Sequence, residues 1–184
     1  MSKIFFTSDH HFGHNNIINL CNRPFNSVEE MNQIMIDRWN DRISPDDEVY
    51  YLGDFAIIKG KEEVAHIIDQ LNGIKYLIKG NHDGSALSNP KKFKWIKDYH
   101  ELKVKDSECE NGIQRIILFH YAMRTWRGYS RGNWHLYGHS HGNLPDNKKQ
   151  LAFDVGVDCH DYYPLSYEDV KTIMKTKNGF PLNI

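Results

Sequence analysis

The sequence predicts an α/β protein whose first half is a parallel β-sheet. Three observations carry this prediction. Apolar runs of strand length recur near residues 4, 48 and 74, segments with helical apolar spacing lie between them, and a short polar string follows each run. Residues 3–8 read as a buried first strand that ends at Asp9. Residues 15–21 suit a helical turn or two, broken by Pro24. Ser27 has the chemistry of an N-cap, with Glu30 three positions on to complete a capping box. Val28, Met31, Ile34, Met35 and Trp39 then form one apolar stripe of a helix. The turn at 44–47 leads into a second strand, 48–52, which delivers Gly53-Asp54. A second amphipathic helix over 61–71 closes at Asn72-Gly73, and a third strand, 74–78, delivers Gly80-Asn81-His82-Asp83. The order βαβαβ implies parallel strands with their loops at one edge, where ligands sit in open α/β sheets.

The second half has a different texture. Residues 99–105 alternate loosely, 110–112 form a turn, and 114–119 form a strand ending at His120, so an antiparallel pair is expected. Residues 133–137 lead into Gly138-His139-Ser140-His141, 151–157 form a further strand, and Ser166 caps a terminal helix over 167–174. A chain of 184 residues with no internal repeat or linker suits a single domain spanning 1–184.

Composition narrows the function classes. Forty per cent apolar and 26% charged residues are ordinary for a globular protein, and no apolar run approaches the length of a membrane span. Three cysteines, Cys21, Cys109 and Cys159, are odd in number and in no CxxC pair, which predicts reduced thiols in a cytoplasmic protein. The first strand begins at once, with no cleavable signal pattern. Charge is uneven: residues 1–84 hold 8 Lys/Arg against 13 Asp/Glu, whereas 85–132 hold 10 against 5. The acidic part suits cations and the basic part an anionic substrate, but the excess is too modest for tight duplex binding.

The polar strings carry the chemistry. Asp9-x-His11, on an extended segment, would place a carboxylate and an imidazole on one side, and His139-x-His141 would do the same with two imidazoles. Asp54 offers two oxygens and Asn81 a neutral carbonyl oxygen; adjacent glycines permit sharp turns. Mixed Asp, Asn and His donors suit divalent manganese, iron, zinc, nickel or cobalt. A closed structural zinc site is disfavoured, because the donors are oxygen-rich and the cysteines lie elsewhere. His14 and Arg23, near the first string, are candidate substrate contacts, the bland alternatives being an exposed histidine and a surface ion pair. Arg124 and Trp126, in an arginine- and aromatic-rich stretch after His120, are candidates for a nucleotide or single-strand platform.

In order and spacing the strings resemble the calcineurin-like metallophosphoesterase superfamily, and Ser8 to Ile18 resembles its small bacterial and phage branch. The pattern D-x-H, G-D, G-N-H-D/E, H, G-H-x-H stands here as Asp9-x-His11, Gly53-Asp54, Gly80-Asn81-His82-Asp83, His120 and Gly138-His139-x-His141. The resemblance implies a four-layer α/β/β/α sandwich. It implies that Asp9, His11, Asp54 and His141 hold one divalent ion, and that Asp54, Asn81, His120 and His139 hold a second. His82 corresponds to the family's catalytic histidine, and Asp83 would either orient it or cap its turn. The implied activity is two-metal hydrolysis of a phosphodiester or phosphomonoester by a metal-bound hydroxide. The arginine-bearing extensions usual in protein Ser/Thr phosphatases are absent around Gly53-Asp54 and Gly80-Asn81. A small phosphoester or nucleotide is therefore the expected substrate. The alternatives are a nuclease for short single strands and a catalytically silent binding module. Oligomeric state and the identity of the metal are not legible in the sequence.

Overall fold

Strand alternation sorts the apolar residues of this chain into three clusters and so builds the layers. The computed structural model describes residues 2–179. Its first sheet contains β1 (Ile4–Thr7), β2 (Glu48–Tyr51), β3 (Ile74–Ile78), β4 (Ile96–Lys97) and β9 (Leu165–Ser166). Their order is β4-β3-β2-β1-β9, with β1 to β4 parallel and β9 antiparallel. The second sheet runs β5-β6-β7-β8, with β5 (Tyr99–Lys105) antiparallel to β6 (Ile113–Phe119). In it β7 (Trp134–Tyr137) and β8 (Ala152–Asp154) continue parallel to β6. The expected parallel half-sheet and antiparallel pair are both present. The short strands β4 and β9 are additions, and the expected strand 151–157 contracts to β8 before Gly156.

Phe5, Val49, Tyr51 and Leu77 point to one face of the first sheet. There they meet Ile17 of α1 (Asn15–Leu20), Met31, Met35 and Trp39 of α2 (Val28–Arg42), and Val64 and Ile68 of α3 (Lys61–Gln70). The alternate residues Phe6, Tyr50, Leu52 and Ile78 face Ile116, Leu118, Leu136 and Phe153 across the gap between the sheets. Val170 and Met174 of α4 (Tyr167–Lys175) join that inter-sheet core. On the outer face of the second sheet, Ile117, Tyr137 and Ala152 are covered by Trp126, with Met123 and Tyr129 beside it. The period of two thus gives each sheet two packed faces.

The caps follow the sequence with one correction. Ser166 and Asp169 form a full capping box on α4. On α2, Ser27 Oγ accepts from the Glu30 amide, but the Glu30 carboxylate turns to the Asn26 amide, so only half the expected box forms. All three cysteines are free, and no described helix is long and apolar enough to cross a membrane.

Candidate metal centre

Five polar strings meet where the parallel strands end. Asp9 follows β1, Asp54 follows β2, Asn81 follows β3, His120 follows β6 and His139 follows β7. Alternation along β6 puts His120 on the same side as Ile116 and Leu118, facing the first sheet, so both sheets contribute to one site. The loops after β1 and β2 stay paired beyond the sheet: the Asp9 amide donates to Gly53 O at 3.0 Å and the His11 amide to Asp54 O at 3.1 Å.

Side-chain donors converge in two groups. Atoms of Asp9, His11 and His141 lie within 4.8 Å of one another, and so do atoms of Asp54, His120 and His139. Asp54 joins the groups: its Oδ2 lies 3.5 Å from His11 Nε2 and 3.6 Å from His120 Nε2. Asn81 Oδ1 stands 3.1 Å from His120 Nε2. The structure therefore brings together all seven residues that the sequence marked as metal donors.

The backbone that achieves this is not the extended one expected. Asp9, His11, Asp54, His139 and His141 all have positive φ, between 45° and 67°. Asp9 and His11 therefore meet through left-handed turns, and strand alternation does not bring them together. Non-glycine residues seldom adopt this conformation, and its clustering at one site is typical of backbone held for function. Glycines make the room. A Cβ on Gly80 would run into the Asp54 carboxylate, and one on Gly138 into the side chains of Ser8 and Asp9.

Buried hydrogen bonds fix the donors. Asp83 caps the loop junction: its carboxylate accepts from the amides of Asp54 (3.1 Å), Phe55 (2.8 Å) and Gly80 (2.6 Å). It therefore holds the turn and does not orient the His82 ring. Ser8 Oγ donates to Asp9 Oδ2 at 2.6 Å, and the His139 amide donates to the same carboxylate. His120 Nδ1 donates to Leu52 O at 2.7 Å, which leaves its Nε2 lone pair toward Asp54 and Asn81. His10 turns away from the site, stacks on Phe12 and bonds Tyr51 Oη through Nδ1.

These residues fit divalent ions. Neither ring nitrogen of buried His11 has a hydrogen-bond partner, which is costly unless something else engages it. Burial, with His141 beside it, pushes His11 down to about 2, so its imidazole is neutral and offers a lone pair. Burial raises the Asp9 carboxyl well above its usual range. His141 is driven down by burial but raised overall by the hydrogen bond to Asp158 and the Asp9 carboxylate. A cluster of desolvated carboxylates and neutral imidazoles is what a divalent cation stabilises.

Around the donors stand three groups able to meet a substrate. His82 is exposed, its ring 5.5 Å from that of His11, and its amide donates to Asp54 Oδ1 at 2.8 Å. His14 is half-buried with its ring 5.6 Å from His11, and burial lowers its pKa. Tyr121, missed in the sequence, is 39% exposed, packs edge-on against His139 and points its hydroxyl at Asn81 Oδ1, 3.3 Å away. Its position next to His120 was the signal that placed it here.

Two of the expected substrate contacts, Arg23 and Trp126, change. Arg23 is neither a substrate contact nor a surface ion pair: it is 4% exposed and its fork is filled by Asp158 and two backbone carbonyls. Trp126 is buried in the outer cluster and donates Nε1–H to Asn133 O at 2.8 Å, so it offers no face to a base. Arg124 is exposed, with no side-chain partner among the described residues and no contact tying it to the donors. Trp126→Ala is accordingly expected to cost about 3 kcal/mol of stability in urea denaturation. Unaltered stability in that variant would contradict a packing role for the ring.

Comparison with known proteins places the chain among relatives without stated activities. No protein-family model matches it. The uncharacterized protein MJ1445 of Methanocaldococcus jannaschii is 36% identical over 184 residues, covering 96% of this chain and 94% of its own. The chain belongs to the MJ1445 family. The gene 66 protein of Mycobacterium phage L5 shares 35% identity with this member over 86% of the present chain and 88% of its own. The protein of unknown function AQ665 from Aquifex aeolicus superposes with a TM-score of 0.69 at 24% identity, over 94% of this chain and all of its own. That likeness shows a shared fold for this MJ1445-family chain.

Proposed function

We propose that the protein is a dinuclear-metal phosphohydrolase acting on a small phosphodiester or phosphomonoester. The observation that carries this reading is the position of Asp54 Oδ2, between His11 Nε2 at 3.5 Å and His120 Nε2 at 3.6 Å, with a donor group on either side. Asp9, His11, Asp54 and His141 would hold one ion, and Asp54, Asn81, His120 and His139 the other. Manganese, iron, zinc, nickel and cobalt all accept such donors. Ions bound there supply Lewis acidity toward phosphoryl oxygens and lower the pKa of a water.

The chain's own groups then divide the work. His82 stands on the open side, its backbone anchored on Asp54 and its ring free to protonate a leaving oxygen or stabilise phosphoryl charge. His14 and Tyr121 flank the donors and can orient the ester by hydrogen bonds. Burial of Trp126 takes that ring out of any single-strand platform, which supports small esters over a nuclease. Membership of the calcineurin-like superfamily and its four-layer sandwich is part of the same proposal, with the segment around Trp126 covering the outer face of the second sheet.

The test is a panel assay after reconstitution with each candidate metal, using bis-p-nitrophenyl phosphate, p-nitrophenyl phosphate, cyclic nucleotides and short oligonucleotides. Metal-dependent, chelator-sensitive hydrolysis of a small ester is expected. Cleavage of oligonucleotides alone would replace the substrate assignment, and no hydrolysis with any metal would favour a silent binding module.

A further inference from the structure

A third group of donor atoms, from Cys21, His141 and Asp158, also lies within 4.8 Å. A guanidinium closes this group to a cation. Asp158 Oδ1 accepts from Arg23 Nε at 2.8 Å, and Oδ2 accepts from Arg23 Nη2 at 2.8 Å and from His141 Nδ1 at 2.7 Å. The rest of the Arg23 fork donates to His10 O at 2.8 Å and Asp9 O at 2.7 Å. One buried side chain thus grips the backbone of the Asp9–His11 string and, through Asp158, the ring of His141. The backbone it grips is the left-handed turn that begins at Asp9.

We propose that Arg23 and Asp158 are positioning residues that assemble the Asp9–His11–His141 donor set selectively. The inference rests on the dinuclear reading above. Asp158 accepts a hydrogen bond from His141 Nδ1–H, which fixes the tautomer, leaves Nε2 as the free lone pair and makes the ring a stronger donor. Arg23 holds Asp158 in place in bidentate fashion through Nε and Nη2, a geometry that a lysine ammonium cannot reproduce. The Asp54–His120–His139 set draws on other supports for two of its three donors: Leu52 O holds His120 and Asp83 holds the Asp54 backbone, while the His139 backbone reaches the first set through the Asp9 carboxylate. Loss of the Arg23–Asp158 pair should therefore weaken one ion and spare the other.

The test is Co²⁺ titration of the metal-free protein by calorimetry and visible absorption, in wild type, Asp158→Asn and Arg23→Lys, with circular dichroism to establish folding. Wild type is expected to bind two ions. Each variant is expected to lose roughly 10–100-fold in affinity at one site and to keep the other within about twofold. Arg23→Lys preserves the charge, so it carries the test if Asp158→Asn does not fold. Unchanged affinities, or equal losses at both sites, in a folded variant would overturn the inference alone. A wild type that binds no Co²⁺ would overturn it together with the dinuclear reading.

Discussion

Asp54→Asn is expected to abolish turnover, lowering kcat/KM by at least about 10³-fold, or roughly 4 kcal/mol of transition-state stabilisation. Among the described residues, Asp54 alone has an oxygen within 3.6 Å of an imidazole nitrogen from each donor group, so losing its charge weakens both sites together. The metal-free variant should remain folded. The Asp9 carboxyl is already disfavoured as an anion by burial and, in part, by Asp54, so removing one of these charges relieves repulsion. The signature is therefore specific. Wild type should gain about 2.7 kcal/mol of stability per bound ion, or roughly 5 kcal/mol for two, at a hundredfold excess of metal over Kd, whereas Asp54→Asn should gain almost none. Thermal melts with and without Mn²⁺ measure this, and a variant with wild-type turnover and metal stabilisation would remove Asp54 from the centre.

His82→Ala should behave oppositely, keeping two ions per chain while kcat falls about 10²–10⁴-fold. The structural reason is that only the backbone of His82 supports the site. Its amide binds Asp54 Oδ1, and alanine preserves that bond, while its ring is exposed at the mouth. Metal analysis alongside steady-state kinetics separates the two roles. Loss of an ion from His82→Ala would make the ring a ligand, and unchanged kcat would leave it without a part in the chemistry.

Features that depend on local pattern were legible in the sequence. The alternation of Phe5 with Phe6 and of Val49 with Tyr50 sorts side chains between two cores, and that periodicity fixed the strands and therefore the edge at which Asp9, Asp54 and Asn81 emerge. Convergence of the seven donors was legible from their order, but the means was not. The left-handed turns at Asp9 and Asp54 are held by contacts such as Arg23 with Asp9 O and Asp83 with the Asp54 amide, formed only after the chain has folded. Arg23 read as a substrate contact or a surface ion pair because its partner, Asp158, lies 135 residues away and sits in no motif. Trp126 misled for the same reason. Its neighbours Ile117, Tyr137 and Ala152 belong to three different strands, so its burial has no local signature. Asp158 was missed altogether, since Val157-Asp158-Cys159 carries no spacing that distinguishes it from a surface turn.

The account stands most directly on two ions sharing Asp54. A crystal structure of the protein loaded with Mn²⁺, with anomalous scattering measured at the manganese edge, tests it. Two peaks about 3.5–4 Å apart, one among Asp9, His11 and His141 and the other among Asn81, His120 and His139, with Asp54 between them, are predicted. A single peak, or peaks that leave Asp54 uncoordinated, would contradict it.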